Sequence, residues 1–173
     1  MSNWYMLTIV GRDQPGIVAD ISNGLLSAGC QLGETSMMRL GGNFTMMLMV
    51  ESNSRADEIE QQLQSSLTRL ELRIHIDPIE AHLHEHIIPN LHVSVYGADR
   101  PGIVAAVTKT LQQQGFNILD LESDVAGSED KPIYIMHIEG HAEKSADDLE
   151  QALRSEAQAE IDIKVSSIDI LVG

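Results

Sequence analysis

The sequence predicts an α+β protein made of two ferredoxin-like βαββαβ units in tandem, each an antiparallel sheet with helices on one face. Three observations predict it. Gly11–Leu32 and Gly97–Ile118 are identical at nine of 22 aligned positions, so the chain is an internal duplication. The match continues later in each copy, where Ala56–Gln61 aligns with Ala146–Gln151. Strand-like and helix-like hydrophobic periods also follow one another in the same order in both copies.

The first strand and first helix of each copy are its most regular segments. Tyr5–Val10 and Leu91–Tyr96 begin apolar and alternate, as half-buried strands do. In the segment after each strand, apolar residues recur every four positions and therefore share one helical face. Gly29 and Gly115 lie where a glycine typically ends such a helix. The residues of the two predicted faces are Ile17, Ile21, Leu25, Ile103, Val107 and Leu111.

The remainder of each copy predicts a hairpin, an acidic amphipathic helix and a closing strand. In the first copy these segments are Gln31–Arg39, the turn Gly41–Asn43, Phe44–Val50, Ser54–Leu67 and Leu72–Ile76. In the second copy they are Asn117–Val125, the turn Gly127–Lys131, Ile133–Glu139, Ser145–Ala157 and Ile161–Val165. Cys30 stands where the second copy has Phe116, and we expect it in the core.

The domain boundary falls between the copies. We expect domains at residues 1–80 and 91–173, joined by a linker at residues 81–90. The alternating His82, His84 and His86 of this linker could share one face and hold a metal ion. Because no cysteine or supporting cluster accompanies them, we expect solvated histidines and no metal site.

Composition narrows the function classes. The chain has 11 Lys and Arg against 26 Asp and Glu, a formal net charge of −15, with no basic cluster. Direct nucleic-acid binding and attachment to an anionic membrane are therefore disfavoured. No apolar run approaches the ~20 residues that span a bilayer, and the N-terminus lacks the features of a signal peptide. The single Cys30 cannot form an internal disulfide, so we expect a cytoplasmic protein.

A repeated D-x-P-G loop joins the first strand to the first helix, as Asp13–Gly16 and as Asp99–Gly102. The free N–H groups of the helix start suit a carboxylate, and the aspartate could take up an ammonium group. Gln31 and Asn117, just beyond the helices, could add amide hydrogen bonds from across a seam between the units. A free amino acid carries both charges and is the natural candidate ligand. The alternative is structural, since aspartates often cap helices and Pro-Gly is common in turns.

These residues resemble the ACT domain, an amino-acid-sensing module of metabolic regulators. The resemblance rests on the signature G-x-D-x-P-G-I-V after a strand, which occurs twice and covers nearly the whole chain. It implies a ligand at a domain interface, near the first strand–helix loop and the start of the following strand. The ligand-binding residues implied by motif match are Asp13, Gln14, Pro15, Gly16, Ile17 and Gln31, and Asp99, Arg100, Pro101, Gly102, Ile103 and Asn117.

A free-standing pair of such domains, of this length and acidity, is similar to the glycine cleavage system transcriptional repressor family. That resemblance implies a repressor that opposes a LysR-type activator by direct contact, without touching DNA, and that responds to glycine. The alternative is a regulatory subunit that binds and controls an enzyme of amino-acid metabolism. A homo-oligomer is also possible.

We expect no enzyme and no cofactor, because the sequence has no nucleophile elbow, P-loop or zincin spacing. Gln31 replaces the more typical Asn that the second copy has at Asn117. We therefore expect the second copy to be the better ligand site and the first to be freer to serve a partner.

Overall fold

The computed structural model describes residues 2–80, 87–98, 101–128, 131–156 and 161–168. The chain divides into two compact units, Met1–His84 and Glu85–Gly173. The predicted domain limits at residues 80 and 91 stay predictions. The elements of the first unit are β1 (Asn3–Arg12), α1 (Ile17–Ser27), β2 (Gln31–Leu40), β3 (Asn43–Ser52), α2 (Ala56–Arg69) and β4 (Arg73–Ile79).

The second unit repeats this order. Its elements are β5 (Leu91–Ala98), α3 (Ile103–Gln113), β6 (Asn117–Ser128), β7 (Lys131–His141), α4 (Ala146–Glu156) and β8 (Ile161–Ser167). The sheets are antiparallel, with strand orders β2-β3-β1-β4 and β6-β7-β5-β8. The predicted fold class is therefore confirmed. Pro78 lies within β4, where the position of that strand at the sheet edge accommodates it.

The core of each unit lies between the sheet and its two helices. In the first unit Leu7 and Ile9 of β1 are fully buried, as are Ile21 and Leu25 of α1. The predicted helical faces are confirmed in both units, since Ile17, Ile103, Val107 and Leu111 are also buried. The two helices of the first unit pack closely: a Cβ added at Gly24 of α1 would lie 2.6 Å from a methyl carbon of Leu63 in α2.

The two cores differ at one matched pair of positions. Cys30 and Val50 of the first unit are both buried, as expected for Cys30. In the second unit, Phe116 stands at the position of Cys30 and is also buried, and Gly140 stands at the position of Val50. A Cβ added at Gly140 would lie 2.3 Å from the Phe116 ring and 2.3 Å from the carbonyl oxygen of Asn117. The larger Phe116 side chain therefore occupies the space that Val50 fills in the first unit.

None of the helices in the described ranges has the length and apolar character needed to cross a bilayer.

Candidate functional site

The first D-x-P-G loop lies at the end of the sheet where the β2–β3 hairpin turns. Arg12, the last residue of β1, pairs with Asn43 at the start of β3. The N–H of Asp13 then donates to the carbonyl oxygen of Gly42 in the hairpin turn, at 3.0 Å. The loop backbone is therefore tied to the glycine turn Gly41-Gly42, in which both residues have positive φ.

The carboxylate of Asp13 already has a cationic partner. Arg39, near the end of the edge strand β2, places a guanidinium nitrogen 2.5 Å from Oδ2 of Asp13. The Asp13 side chain is 23% exposed and that of Arg39 is 67% exposed. An ammonium group that binds Asp13 therefore has to compete with Arg39 or share the carboxylate with it.

The side chain of Gln14 is also engaged. Its Nε2 donates to the carbonyl oxygen of Leu70, at 2.8 Å. Leu70 is the C-terminal capping residue of α2, and the carbonyl groups at a helix end lack partners within the helix. Gln14 thus joins the loop to the end of the second helix, which is a structural role.

The start of α1 carries no side-chain cap. Its N-terminal capping residue is Gly16, at φ 95° and ψ −9°, and among the described residues no side chain hydrogen-bonds this turn as a cap. The alternative that Asp13 caps the helix is therefore not what the structure shows. Buried Ile17 anchors the turn in the core. The only acidic residue of the first turn is Asp20, and its carboxylate binds Arg69 of α2 at 2.7 Å.

The second loop has the same backbone at its helix start. Gly102 caps α3 at φ 94° and ψ −3°, again with no side-chain cap within the described residues. Its carbonyl oxygen accepts the N–H of Ala106 at 2.9 Å. Pro101 and Gly102 form the turn before Ile103, which is buried. Asp99 and Arg100 lie outside the described residues.

The two units differ at the strand position that supplies Arg39. In the first unit, Arg39 pairs with Phe44, and Phe44 pairs with Gly11 of β1. In the second unit, Val125 pairs with Tyr134, and Tyr134 pairs with Gly97 of β5. Val125 therefore stands where the first unit has Arg39, and β6 offers no cation at this position.

Gln31 and Asn117 lie at the opposite end of the sheet from the loop of their own unit. Gln31 pairs with Glu51, which pairs with Trp4 near the start of β1. Arg12 lies eight positions after Trp4, roughly 26 Å along the strand. Asn117 likewise pairs with His141, next to the start of β5. The structure therefore does not bring either amide to the loop of the same unit.

Arg39 and the Leu70 carbonyl are neighbours of the loop that the sequence analysis missed. Arg39 is separated from Asp13 by α1 and nearly all of β2, so only the strand register connects them. The one sequence feature that could have indicated this contact is that Arg39 is a basic residue close to the Gly41-Gly42 hairpin turn. The acceptor in Leu70 is a backbone carbonyl, which every residue has, so the residue type does not indicate this contact.

A charge network of the second unit lies away from the loops, between α4 and the edge strand β8. Glu150 Oε2 accepts the N–H of Val165 at 2.8 Å, and its Oε1 accepts Nε of Arg154 at 2.9 Å. The hydrogen bond from Val165 is the main reason that the pKa of Glu150 is lowered, and Arg154 adds to the effect. The same contact with Glu150 raises the pKa of Arg154.

Within the described residues, no three His, Cys, Asp or Glu side chains are placed to hold a metal ion. His82, His84 and His86 of the predicted linker lie outside the described residues, so the metal alternative for them is untested.

The ACT domain pattern matches residues 5–77 and 90–166, one match in each unit. The chain belongs to the ACT domain family. It is 27% identical over 158 residues to the glycine cleavage system transcriptional repressor of Escherichia coli strain K12, covering 88% of this chain and 83% of that protein. It is also 34% identical over 74 residues to a UPF0237 protein of Listeria innocua, covering 41% of this chain and 83% of that protein.

Two solved structures share the complete two-unit ACT fold. An unknown protein from Galdieria sulphuraria is 24% identical, with a TM-score of 0.77, and the match covers 98% of this chain and 100% of that one. A structure assigned provisionally as a glycine cleavage system transcriptional repressor is 16% identical, with a TM-score of 0.66 and coverage of 97% and 99%. At these identities the likeness shows the fold alone.

Proposed function

We propose that this protein is an amino-acid-responsive regulator that controls transcription indirectly, by binding an activator of the LysR type. Two findings support this role. Both units belong to the ACT family, and 88% of the chain aligns with a protein named as a transcriptional repressor. A net charge of −15 opposes direct contact with DNA. We place the protein in the cytoplasm, where such an activator works.

The ligand proposal rests on one observation, made at the start of α1 and again at the start of α3. Both helices begin at a left-handed glycine, Gly16 or Gly102, with no side-chain cap among the described residues. Backbone N–H groups at a helix start, together with the positive end of the helix dipole, favour an anion. The carboxylate of a small amino acid, glycine foremost, fits this requirement.

The second loop is the stronger candidate of the two. In the first loop, Arg39 already neutralises Asp13, and Gln14 is held by the carbonyl of Leu70. Val125 replaces Arg39 in the second unit, so no β6 cation competes there with a ligand ammonium group. Gln31 and Asn117 are not part of this proposal, because each lies far from the loop of its own unit.

A thermal-shift series with the twenty amino acids tests the ligand proposal. A ligand present at about 100 times its Kd adds ~2.7 kcal/mol to the unfolding free energy. We expect glycine to raise Tm, and the variant Asp99→Ala to lose that rise. The matched variant Asp13→Ala in the first unit should keep most of it. If no amino acid moves Tm at millimolar concentration, the chain is not a sensor on its own.

The partner proposal is tested with purified components. We expect the protein to bind a purified LysR-type activator and, when added alone, to leave the mobility of the activator's DNA site unchanged. Binding to an enzyme of amino-acid metabolism, with none to the activator, would replace this proposal with the regulatory-subunit alternative. Direct retardation of the DNA by this protein would overturn the indirect mechanism.

A further inference from the structure

The face of the second sheet that points away from its helices carries an unusual set of side chains, and we call it the open face. Strand side chains alternate between faces, and Val93, Val95, Met136 and Ile138 are buried on the helical side. The neighbours of these residues along each strand therefore lie on the open face. Reading across β6, β7, β5 and β8, its three rows are Asp120–Glu139–His92–Ser166, Glu122–His137–Ser94–Lys164 and Asp124–Ile135–Tyr96–Asp162.

The centre of the open face holds a cluster of three planar rings. The imidazoles of His92 and His137 are stacked, with ring centroids 5.3 Å apart and an angle of 18° between the planes. Tyr96 meets His137 edge-on, with centroids 5.9 Å apart. Ser94 Oγ lies 3.4 Å from Nδ1 of each histidine, so the two rings share one hydroxyl.

Carboxylates surround this ring cluster. The three rows contain five of them, and Lys164 is the one ammonium group. Asp162 is paired with Arg154, at 3.3 Å. Among the described residues, no ion pair engages Asp120, Glu122 or Glu139. The open face is therefore strongly negative, beyond the general acidity of the chain.

One pair of carboxylates is placed where it costs stability. Asp120 and Glu139 lie directly opposite each other on β6 and β7. Like charges in this cross-strand position are destabilising, because the Cβ atoms of such pairs are only about 5 Å apart. A cation held between the two carboxylates would remove this repulsion.

The fold itself does not require these residues. In the first unit, the positions that correspond to His92, His137 and Glu139 hold the methionines Met6, Met47 and Met49. The same backbone therefore accepts an apolar surface there. The charged residues and rings on the open face of the second unit are therefore explained better by a function than by a requirement of the fold.

We propose that the open face of the second unit is a docking surface for a protein segment that presents arginine side chains. A guanidinium group is flat and stacks on imidazole and phenol rings. It also binds carboxylates through two parallel hydrogen bonds, which the compact charge of lysine cannot do. This proposal depends on the proposed function in one respect only, which is that the bound partner is a protein. DNA-binding proteins carry basic surfaces of this kind, so an activator has suitable chemistry.

A peptide titration followed by NMR tests the surface directly. The full chain, labelled with ¹⁵N, is titrated with a capped peptide of alternating arginine and glycine. The control peptide has citrulline, which is neutral and nearly the same shape, in place of each arginine. We expect shifts concentrated on residues of the three rows with the arginine peptide and none with the citrulline peptide. Shifts spread equally over the acidic turns of α2 and α4 would mean non-specific attraction and would overturn the proposal.

Matched variants test the role of the two glutamates. Glu122→Gln/Glu139→Gln removes two charges from the open face, and Glu60→Gln/Glu143→Gln removes two from exposed positions elsewhere. The open-face variant should bind the arginine peptide about tenfold more weakly, as expected for the loss of a charge-assisted hydrogen bond. The control variant should bind within about twofold of the unaltered chain. Since one repulsive pair is relieved, the Tm of the open-face variant should not fall.

The same variants separate this proposal from the proposed function. If the open-face variant binds the activator and the arginine peptide as tightly as the control variant does, the docking surface lies elsewhere and the regulatory role stands. If the arginine peptide binds the open face but no activator binds the chain, the surface stands and the activator is the wrong partner.

Discussion

Arg39 joins the edge strand of the first sheet to the D-x-P-G loop, with a guanidinium nitrogen 2.5 Å from the carboxylate of Asp13. The corresponding strand position of the second unit is Val125. The two units thus share a loop backbone but differ in the charge that faces it. This difference gives a direct way to alter the two candidate ligand sites in opposite directions.

We predict that Val125→Arg weakens the response of the protein to its amino acid. The new guanidinium group would compete with the ligand ammonium group for the second loop, as Arg39 does in the first. Isothermal titration calorimetry should show a Kd raised by about tenfold, equivalent to ~1.4 kcal/mol, while Val125→Thr serves as the uncharged control. An unchanged Kd in Val125→Arg would show that the ligand ammonium group does not bind near this strand position.

We predict the reverse for Arg39→Val in a chain that also carries Asp99→Ala. This background disables the second loop, so any binding measured by calorimetry belongs to the first. Removal of Arg39 leaves Asp13 available to an ammonium group, and amino-acid affinity should increase relative to the background chain. The stability loss should be small, about 0–1 kcal/mol, because the pair is solvent-exposed on the Arg39 side. Failure of Arg39→Val to gain affinity would assign the first loop a structural role only.

The fold could be predicted almost completely from the sequence because each element has a local signal. The four-residue spacing of Ile17, Ile21 and Leu25 specified the buried face of α1, and the structure buries all three. The surroundings of the candidate site could not be predicted in the same way. The contact between Arg39 and Asp13 depends on strand register, which residue periodicity alone does not reveal. The separation of Gln31 from its own loop likewise follows from the sheet topology.

Phe116 and Gly140 should be energetically coupled, since they replace the buried pair Cys30 and Val50 of the first unit. Gly140→Val forces a Cβ into space held by the Phe116 ring and the Asn117 carbonyl. Overpacking of this kind costs typically 1–3 kcal/mol. The double variant Phe116→Cys/Gly140→Val relieves the contact with the ring but not the contact with the backbone. Urea unfolding of the double-mutant cycle should therefore give partial recovery, with a coupling energy of about 0.5–3 kcal/mol.

Replacement of Glu71 by glycine should stabilise the first unit. Glu71 follows the end of α2 at φ 51°, a left-handed conformation that favours glycine. The left-handed conformation costs a residue with a Cβ about 1–2 kcal/mol, and glycine avoids this cost. Glycine also gives the unfolded chain more conformational freedom, which offsets part of the stabilisation. We expect an increase of about 0.5–1 kcal/mol in the unfolding free energy, measured with urea. Glu71→Ala is the control, because it removes the charge but keeps the Cβ; an equal gain there would assign the effect to charge.

Glu150 should make the stability of the second unit depend on pH in the acidic range. Its pKa is lowered in the folded protein, chiefly by the hydrogen bond from the Val165 N–H and then by Arg154. A carboxyl group with a lowered folded pKa stabilises the protein above its unfolded pKa, and that contribution is lost as the pH falls through the folded value. Glu150→Gln should therefore be less stable than the unaltered chain at pH 7, and the difference should shrink as the pH falls below about 4.3, the ordinary glutamate pKa. Tm measured from pH 7 down to pH 3 for both chains checks this. A gap that stays constant over that range would mean that the hydrogen bond is equally strong with a neutral side chain and that ionisation of Glu150 contributes nothing.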